Sequence, residues 1–245
     1  MLALWSVGVA AVAPLVKPVL DPLVLLQDKA TQTTHKRVYA PLVGVEHPEA
    51  AFAALPGVLR TRVGYCAGEA EQPSPDPTYR KVCNDPAYGN YAEAIQLEYD
   101  PRAISFDDVL DAFFRHHDAR SAGRKRQYAS IIFAHDEMQW QRAEIALDPG
   151  NHPARKGVST SLERASVFWD AEPYHQKWIL QRKRELMLAL GLTDTAQLLE
   201  RPATVLNAFA AGRLPAEATM DKLEEMLQQG ELEPSSHGRL MALLS

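Results

Sequence analysis

Cysteine is scarce in this chain. There are two in 245 residues, Cys66 and Cys83, which excludes a disulfide framework and leaves either one bridge or two reduced thiols. No Cys or His pair falls at metal-ligand spacing, so no metal site is expected. A dominant charge is lacking too. The formal net charge of −5 is mild and suggests neither nucleic acid nor an anionic membrane surface as a partner. Long apolar runs are absent: residues 2–16 fall short of the roughly 20 apolar residues that a membrane-crossing helix needs. That run ends near Ala11, Val12 and Ala13, which have the small-residue character of a leader cleavage site, but a charged start is missing and Pro14 would follow the cut. A leader and a loosely docked arm both fit residues 1–36. The compartment stays open among cytoplasmic, organellar and secretory.

What is present suits a soluble globular protein, with 46% hydrophobic and 23% charged residues. Residues 37–43 are short, apolar and β-branched and read as a strand. Residues 49–55 read as a helix with Phe52 and Leu55 on one face, stopped by Pro56 and Gly57. Residues 58–65 alternate as a half-buried strand does. Residues 66–76 hold Gly68, Pro73 and Pro75 and read as a surface loop. Pro77 and Thr78 open a short helical turn carrying Tyr79, Val82 and Cys83. Residues 91–99 alternate again, and Glu93 falls on the same face as Ile95 and Leu97. A carboxyl on that apolar side is expected to hold a proton near neutral pH. Ser105 with Asp108 forms a capping box before Val109, Leu110, Phe113 and Phe114 at helical spacing. Residues 127–133 and 162–169 read as strands, and 136–145 and 172–190 as helices. The alternation predicts α/β packing of helices on a mixed sheet. From residue 193 the pattern changes to short amphipathic helices, so the expected organisation is 1–36 as an arm, 37–192 as the main domain and 193–245 as a helical extension.

Several of these stretches, taken in order, carry a family likeness: LPGV, RVGY, PTYRKVC, YAEAIQLEYDP, SFDDVLDAFFRHHD and QYASIIF. The chain resembles the peptide methionine sulfoxide reductase A family across residues 38–190. The resemblance implies a two-layer sandwich of the split β-α-β, ferredoxin-like kind, and thiol-dependent reduction of methionine S-sulfoxide in peptides and proteins, a repair reaction of oxidative stress. It implies no bound cofactor but an external thioredoxin-like reductant. It places the family's acid on Glu93 and its two hydroxyl donors on Tyr79 and Tyr128. The family's nucleophile sits in a Gly-Cys-Phe-Trp-Gly turn, where this chain has Ala40, Pro41, Leu42, Val43 and Gly44. Pro41 stands where the reactive cysteine would be, and Leu42 and Val43 replace the aromatics that hold the substrate methyl group. The acidic stretch usual before the second tyrosine is also absent; Arg124, Lys125 and Arg126 there read as a solvated loop face.

The chemistry asks for a thiolate aimed at sulfur, an acid or strong donors at the oxygen, and an apolar pocket for the methyl group. The oxygen-holding residues are all present. The sulfur-attacking residue is not, and proline also removes a backbone donor there. Two readings stay open. One is a reductase using Cys83 or Cys66 as a displaced nucleophile. The other is a pseudoenzyme whose cleft binds methionine-sulfoxide peptides or serves as a scaffold.

Overall fold

The structure, a computed structural model, describes residues 26–27, 34–41, 46–68, 74–120 and 125–245. The apolar stretch read as a leader or arm lies almost wholly outside these residues, and Leu42 and Val43 lie outside them too.

Among the described residues the sheet has six strands: β1 (Leu26–Gln27), β2 (Thr34–Pro41), β3 (Val58–Gly68), β4 (Ala92–Tyr99), β5 (Ile131–Ala134) and β6 (Ser161–Asp170). Their order is β1-β2-β4-β3-β6-β5, and β2 also meets β5 at Tyr39 and Phe133, so the sheet curls back on itself. The β5–β6 pair is parallel and the other pairs are antiparallel. The sheet is therefore mixed and the class is α/β, as the alternation predicts. The curl depends on close approach of β3 and β6. Gly64 pairs with Asp170, and a Cβ on Gly64 would sit 2.1 Å from the Trp169 carbonyl oxygen.

Helices α1 (Glu46–Ala53), α3 (Phe106–His116) and α4 (Glu137–Leu147) cover one face. The capping box holds: the Ser105 side chain accepts from the Asp108 N–H, and Asp108 accepts from the Ser105 N–H. The apolar stripe Phe106, Val109, Leu110, Ala112 and Phe113 is buried against Phe52, Ile95, Leu97 and Tyr99. Each such large side chain contributes about 1.5–3 kcal/mol when fully buried. The opposite, inner face of the curl is lined by smaller groups, with Cys66, Ala92 and Ala94 beside Ile131, Phe133 and Phe168.

The chain after β6 departs from the single long helix expected over 172–190. It forms a one-turn 3-10 helix, then α5 (Trp178–Gln181) and α6 (Arg184–Leu190). The break is at Lys177, which has φ +48° and is fully buried. Its Nζ donates to Glu49 Oε1 at 2.8 Å and to the Thr61 carbonyl at 2.6 Å, while its N–H donates to Glu49 Oε2 at 3.1 Å. The left-handed backbone at Lys177 turns its ammonium inward to meet the buried Glu49 carboxylate. A further correction concerns β3, which runs to Gly68, so Cys66 lies in a central strand and not in a loop.

Helices α7 (Arg201–Ala210), α8 (Ala216–Gln228) and α9 (Pro234–Leu244) follow. They form a second core with α5 and α6 around Leu180, Leu186, Leu206, Leu223, Met226 and Leu240. A buried polar bond joins this core to the sheet domain: the Thr61 N–H donates to Thr204 Oγ1 at 3.3 Å. Within the core the Leu180 N–H donates to Asn207 Oδ1 at 3.0 Å.

Candidate functional site

At one end of the sheet β4 sits between β2 and β3. Register pairs Pro41 with Ala94 and Tyr65 with Glu93. Position 41 is thus one residue along from the partner of Glu93, where β2 ends before α1. Glu93 is half-buried, on the same strand face as the core residues Ile95 and Leu97.

Tyr79 comes from α2 (Tyr79–Asn84), which Thr78 caps by accepting from the Lys81 N–H. Cys83 is four residues on, so helical geometry stacks it beneath Tyr79 on the same face, and the Tyr79 hydroxyl and the Cys83 thiol interact. Tyr128 ends a one-turn 3-10 helix, Arg126–Tyr128, where a strand over 127–133 is expected; only Ile131–Ala134 is strand. The Tyr128 hydroxyl meets the Tyr79 hydroxyl and feels Glu93 and Cys83. Residues 79, 83, 93 and 128 therefore lie near one another.

Three residues that single-sequence reading does not single out complete the cluster. Gln127 is buried, and its Nε2 donates to Cys83 Sγ at 3.2 Å and to Glu93 Oε1 at 3.3 Å. Glu172 accepts from the Tyr79 N–H at 2.9 Å through Oε1 and from the Tyr65 hydroxyl at 2.9 Å through Oε2. It thereby fastens the start of α2 to β3. Tyr65 and Glu172 lie 107 residues apart, and only the fold brings them together. An aromatic rim runs outward from the cleft, with the Tyr79 and His175 rings 5.2 Å apart and the His175 and Tyr174 rings 4.3 Å apart.

The basic run expected to be a solvated face is a brace. The Arg126 guanidinium makes two 2.6 Å bonds to the Glu163 carboxylate and donates from Nε to the Asn90 carbonyl at 3.1 Å. Lys125 Nζ donates to the Cys83 carbonyl at 3.2 Å, near the C-terminal end of α2, where a cation suits unpaired carbonyls. The bidentate Arg126–Glu163 pair holds the Gln127–Tyr128 turn against β6 and the start of β4. Arg124 lies outside the described residues.

Electrostatics keeps the hydroxyls protonated. Its bond with Cys83, then the nearby charge of that group and of Tyr128, pushes Tyr79 up to about 12. Burial first, then the Glu93 and Cys83 charges, raises Tyr128. Both are hydrogen-bond donors at neutral pH. At Glu172, burial works against the charged form, but its own N–H, the Tyr79 N–H, the Tyr65 hydroxyl and His175 outweigh it and hold the carboxyl below its usual range. The two cysteines differ sharply. Both are free thiols. Cys66 is fully buried, its Sγ bonded to the Ala67 carbonyl at 3.4 Å, and burial pushes its thiol far up. Cys83 is only part-buried and opens on the cleft. Among the described residues no group of three or more His, Cys, Asp or Glu side chains is placed to hold a metal, and no helix is long and apolar enough to cross a membrane.

The arrangement can grip a small polar oxygen with two hydroxyls and a carboxyl, beside one accessible sulfur. Known proteins with similar sequences bear on what that oxygen is. The family model for peptide methionine sulfoxide reductase matches residues 47–201, more than half of the chain. The chain is 37% identical over 166 residues to a peptide methionine sulfoxide reductase of Drosophila melanogaster, covering 67% of this chain and 63% of that protein. It is 36% identical over 170 residues to peptide methionine sulfoxide reductase A5 of Oryza sativa, covering 66% and 63%. The chain thus spans about 63% of the length of these relatives. Among solved structures it is similar to reduced Mxr1 from Saccharomyces cerevisiae, with a TM-score of 0.53 and 26% identity over 65% of this chain and 90% of that one. It is also similar to methionine sulfoxide reductase A of Corynebacterium diphtheriae, with a TM-score of 0.50 and 25% identity over 64% and 77%. The family match begins at residue 47, after the segment where Pro41, Leu42 and Val43 stand. By its matched residues and its fold, the chain belongs to the peptide methionine sulfoxide reductase family.

Proposed function

We propose that the cleft binds methionine S-sulfoxide in peptides, and that the family's reductase chemistry is impaired in this chain because position 41 supplies no thiol. The sulfoxide oxygen carries partial negative charge and accepts hydrogen bonds. Tyr79 and Tyr128 donate to it, and Glu93 serves as the acid. In reduction, a thiolate attacks the sulfoxide sulfur, the S–O bond breaks, and the oxygen ends on the attacking sulfur as a sulfenic acid while the methionine thioether is released. That step needs a proton at the departing oxygen, which an acid in the Glu93 position provides. It also needs the sulfur atom, which proline lacks. The observation that supports binding is the convergence of Tyr79, Glu93 and Tyr128 from three separate elements, next to the strand position paired with Ala94.

A second reading has its own support. Gln127 links the Cys83 sulfur to Glu93 through one amide, so Cys83 is the thiol within reach if turnover occurs. Cys83 stands in the last turn of α2, away from a helix N-terminus. The sulfenic acid on Cys83 would have no second accessible thiol, since Cys66 is buried, and an external thiol of the thioredoxin kind would reduce it. The test is turnover of free and peptidyl methionine S-sulfoxide with dithiothreitol, on the chain and on Cys83→Ser. Binding without turnover is the expected result. Turnover that disappears in Cys83→Ser would replace it with the second reading, and turnover that survives in that variant would defeat both.

A further inference from the structure

We propose that Gln127 is the positioning residue of this cleft: its side-chain amide holds the Cys83 sulfur and the Glu93 carboxyl together and decides which carboxyl oxygen carries the proton. The inference rests on the sulfoxide-binding reading for the part played by Glu93, and extends it to a residue that touches neither the sulfoxide oxygen nor position 41. Gln127 is 4% exposed, and its Nε2 stands 3.2 Å from Cys83 Sγ and 3.3 Å from Glu93 Oε1. An amide nitrogen has two hydrogens and no acceptor capacity. Both contacts are therefore donations, one hydrogen to each partner. Glu93 Oε1 is then an acceptor, which favours Oε2 as the oxygen that carries the proton of a neutral Glu93. The other hydrogen goes to the Cys83 sulfur, which accepts it. The amide does not titrate, so it holds both partners through changes of their own charge.

The backbone around Gln127 is set for this purpose. Arg126 on one side is clamped to Glu163 and the Asn90 carbonyl, and the turn that carries Gln127 closes with the Ala129 N–H donating to the Arg126 carbonyl at 3.0 Å. The groups that face the Cys83 thiol are Tyr79 from its own helix, Tyr128 from the next turn, Tyr174 from the rim, Gln127 and, across that amide, Glu93, with Lys125 Nζ on the Cys83 carbonyl. Gln127 is the group among them that donates without ever being charged.

The test reads Cys83 directly. Iodoacetamide labelling of Cys83 is followed by peptide mass spectrometry from pH 6 to 10 on the full chain, Gln127→Leu and Gln127→Glu, with near-ultraviolet circular dichroism to confirm the fold. Loss of the donor in Gln127→Leu is expected to slow labelling about threefold at pH 8, an upward move of about half a pH unit in the profile. Gln127→Glu keeps the volume and adds a negative charge, so its profile moves further the same way. Unchanged profiles in both folded variants would overturn the proposal. Titration of the full chain with N-acetylmethionine S-sulfoxide separates the two levels. No binding there would defeat the sulfoxide reading and the role toward Glu93, while the labelling profile still decides the hold on sulfur.

Discussion

Two polar clusters sit on the helix-covered side of this sheet, and each has a glutamate at its centre. Around Glu49 everything is closed: Glu49, Lys177 and Thr61 are all fully buried, and the carboxylate accepts from the lysine ammonium, the lysine N–H and the threonine hydroxyl. Around Glu93 the cleft is open: Glu93 is half-buried, Tyr79 is 40% exposed, and the amide of Gln127 bridges to a thiol. The difference teaches what burial of a carboxyl is for. A carboxylate sealed against an ammonium fixes the positions of α1, β3 and the chain after β6, and its removal is expected to register as lost stability. A carboxyl at a cleft, among hydroxyls and an amide, is placed to meet a ligand, and its removal is expected to register as lost binding.

The comparison breaks first at the closed cluster. Lys177→Met leaves Glu49 charged and buried with no ammonium, and is expected to cost about 3–5 kcal/mol in urea unfolding. A loss below about 1 kcal/mol would mean that the pair is not what holds these elements. At the open cluster, Glu93→Ala and a Tyr79→Phe, Tyr128→Phe double variant should each weaken sulfoxide binding about tenfold to a hundredfold, with the unfolding midpoint nearly unmoved. Equal effects on stability and binding would erase the distinction. Pro41→Cys sharpens it from the other side. It restores sulfur at the end of β2 but not the aromatics at positions 42 and 43, so a dithiothreitol-coupled assay should detect only weak turnover.

A smaller effect concerns pH. The Glu172 carboxyl titrates below its usual range in the folded chain, so its contribution is present above the unfolded value of about 4. It is lost as pH falls through the lower folded value. Because Glu172 is part-exposed, that contribution is modest. Near-ultraviolet circular dichroism is the sensitive readout. It should change on acidification below about pH 4 as α2 loosens from β3, and Glu172→Gln should remove that acid step. An identical acid profile in the variant would show that Glu172 does not secure α2.

Much of this was legible in the chain itself, for physical reasons that differ by residue. Ser105 and Asp108 announce α3 because capping is local chemistry, and the alternation around Ile95 and Leu97 announces β4 because successive strand residues point to opposite faces, large groups toward the helices and small ones into the curl. Tyr79, Cys83, Glu93 and Tyr128 are singled out by the family likeness, and the Gln127 amide bonds to two of them, Cys83 and Glu93. Lys177 was not legible, because a lysine in an amphipathic stretch reads as helix surface; only a buried Glu49 128 residues away turns it inward. Gln127 and Glu172 were missed for the same reason. Their partners are 44 and 107 residues distant for Cys83 and Tyr65, and no local pattern marks a residue whose work is done across the fold. The run holding Arg126 reads as a solvated face because charge runs usually are, and the strand carrying Glu163 gives it another task.

The central claim is that the oxygen-holding half of the cleft works without the sulfur-attacking half. Calorimetric titration of the full chain and of Glu93→Ala with a peptide containing methionine S-sulfoxide, alongside the same peptide with unoxidised methionine, tests this most directly. The account predicts that the full chain binds the oxidised peptide, ignores the other, and loses that preference in Glu93→Ala. Equal binding of both peptides, or a preference that survives in Glu93→Ala, would contradict it.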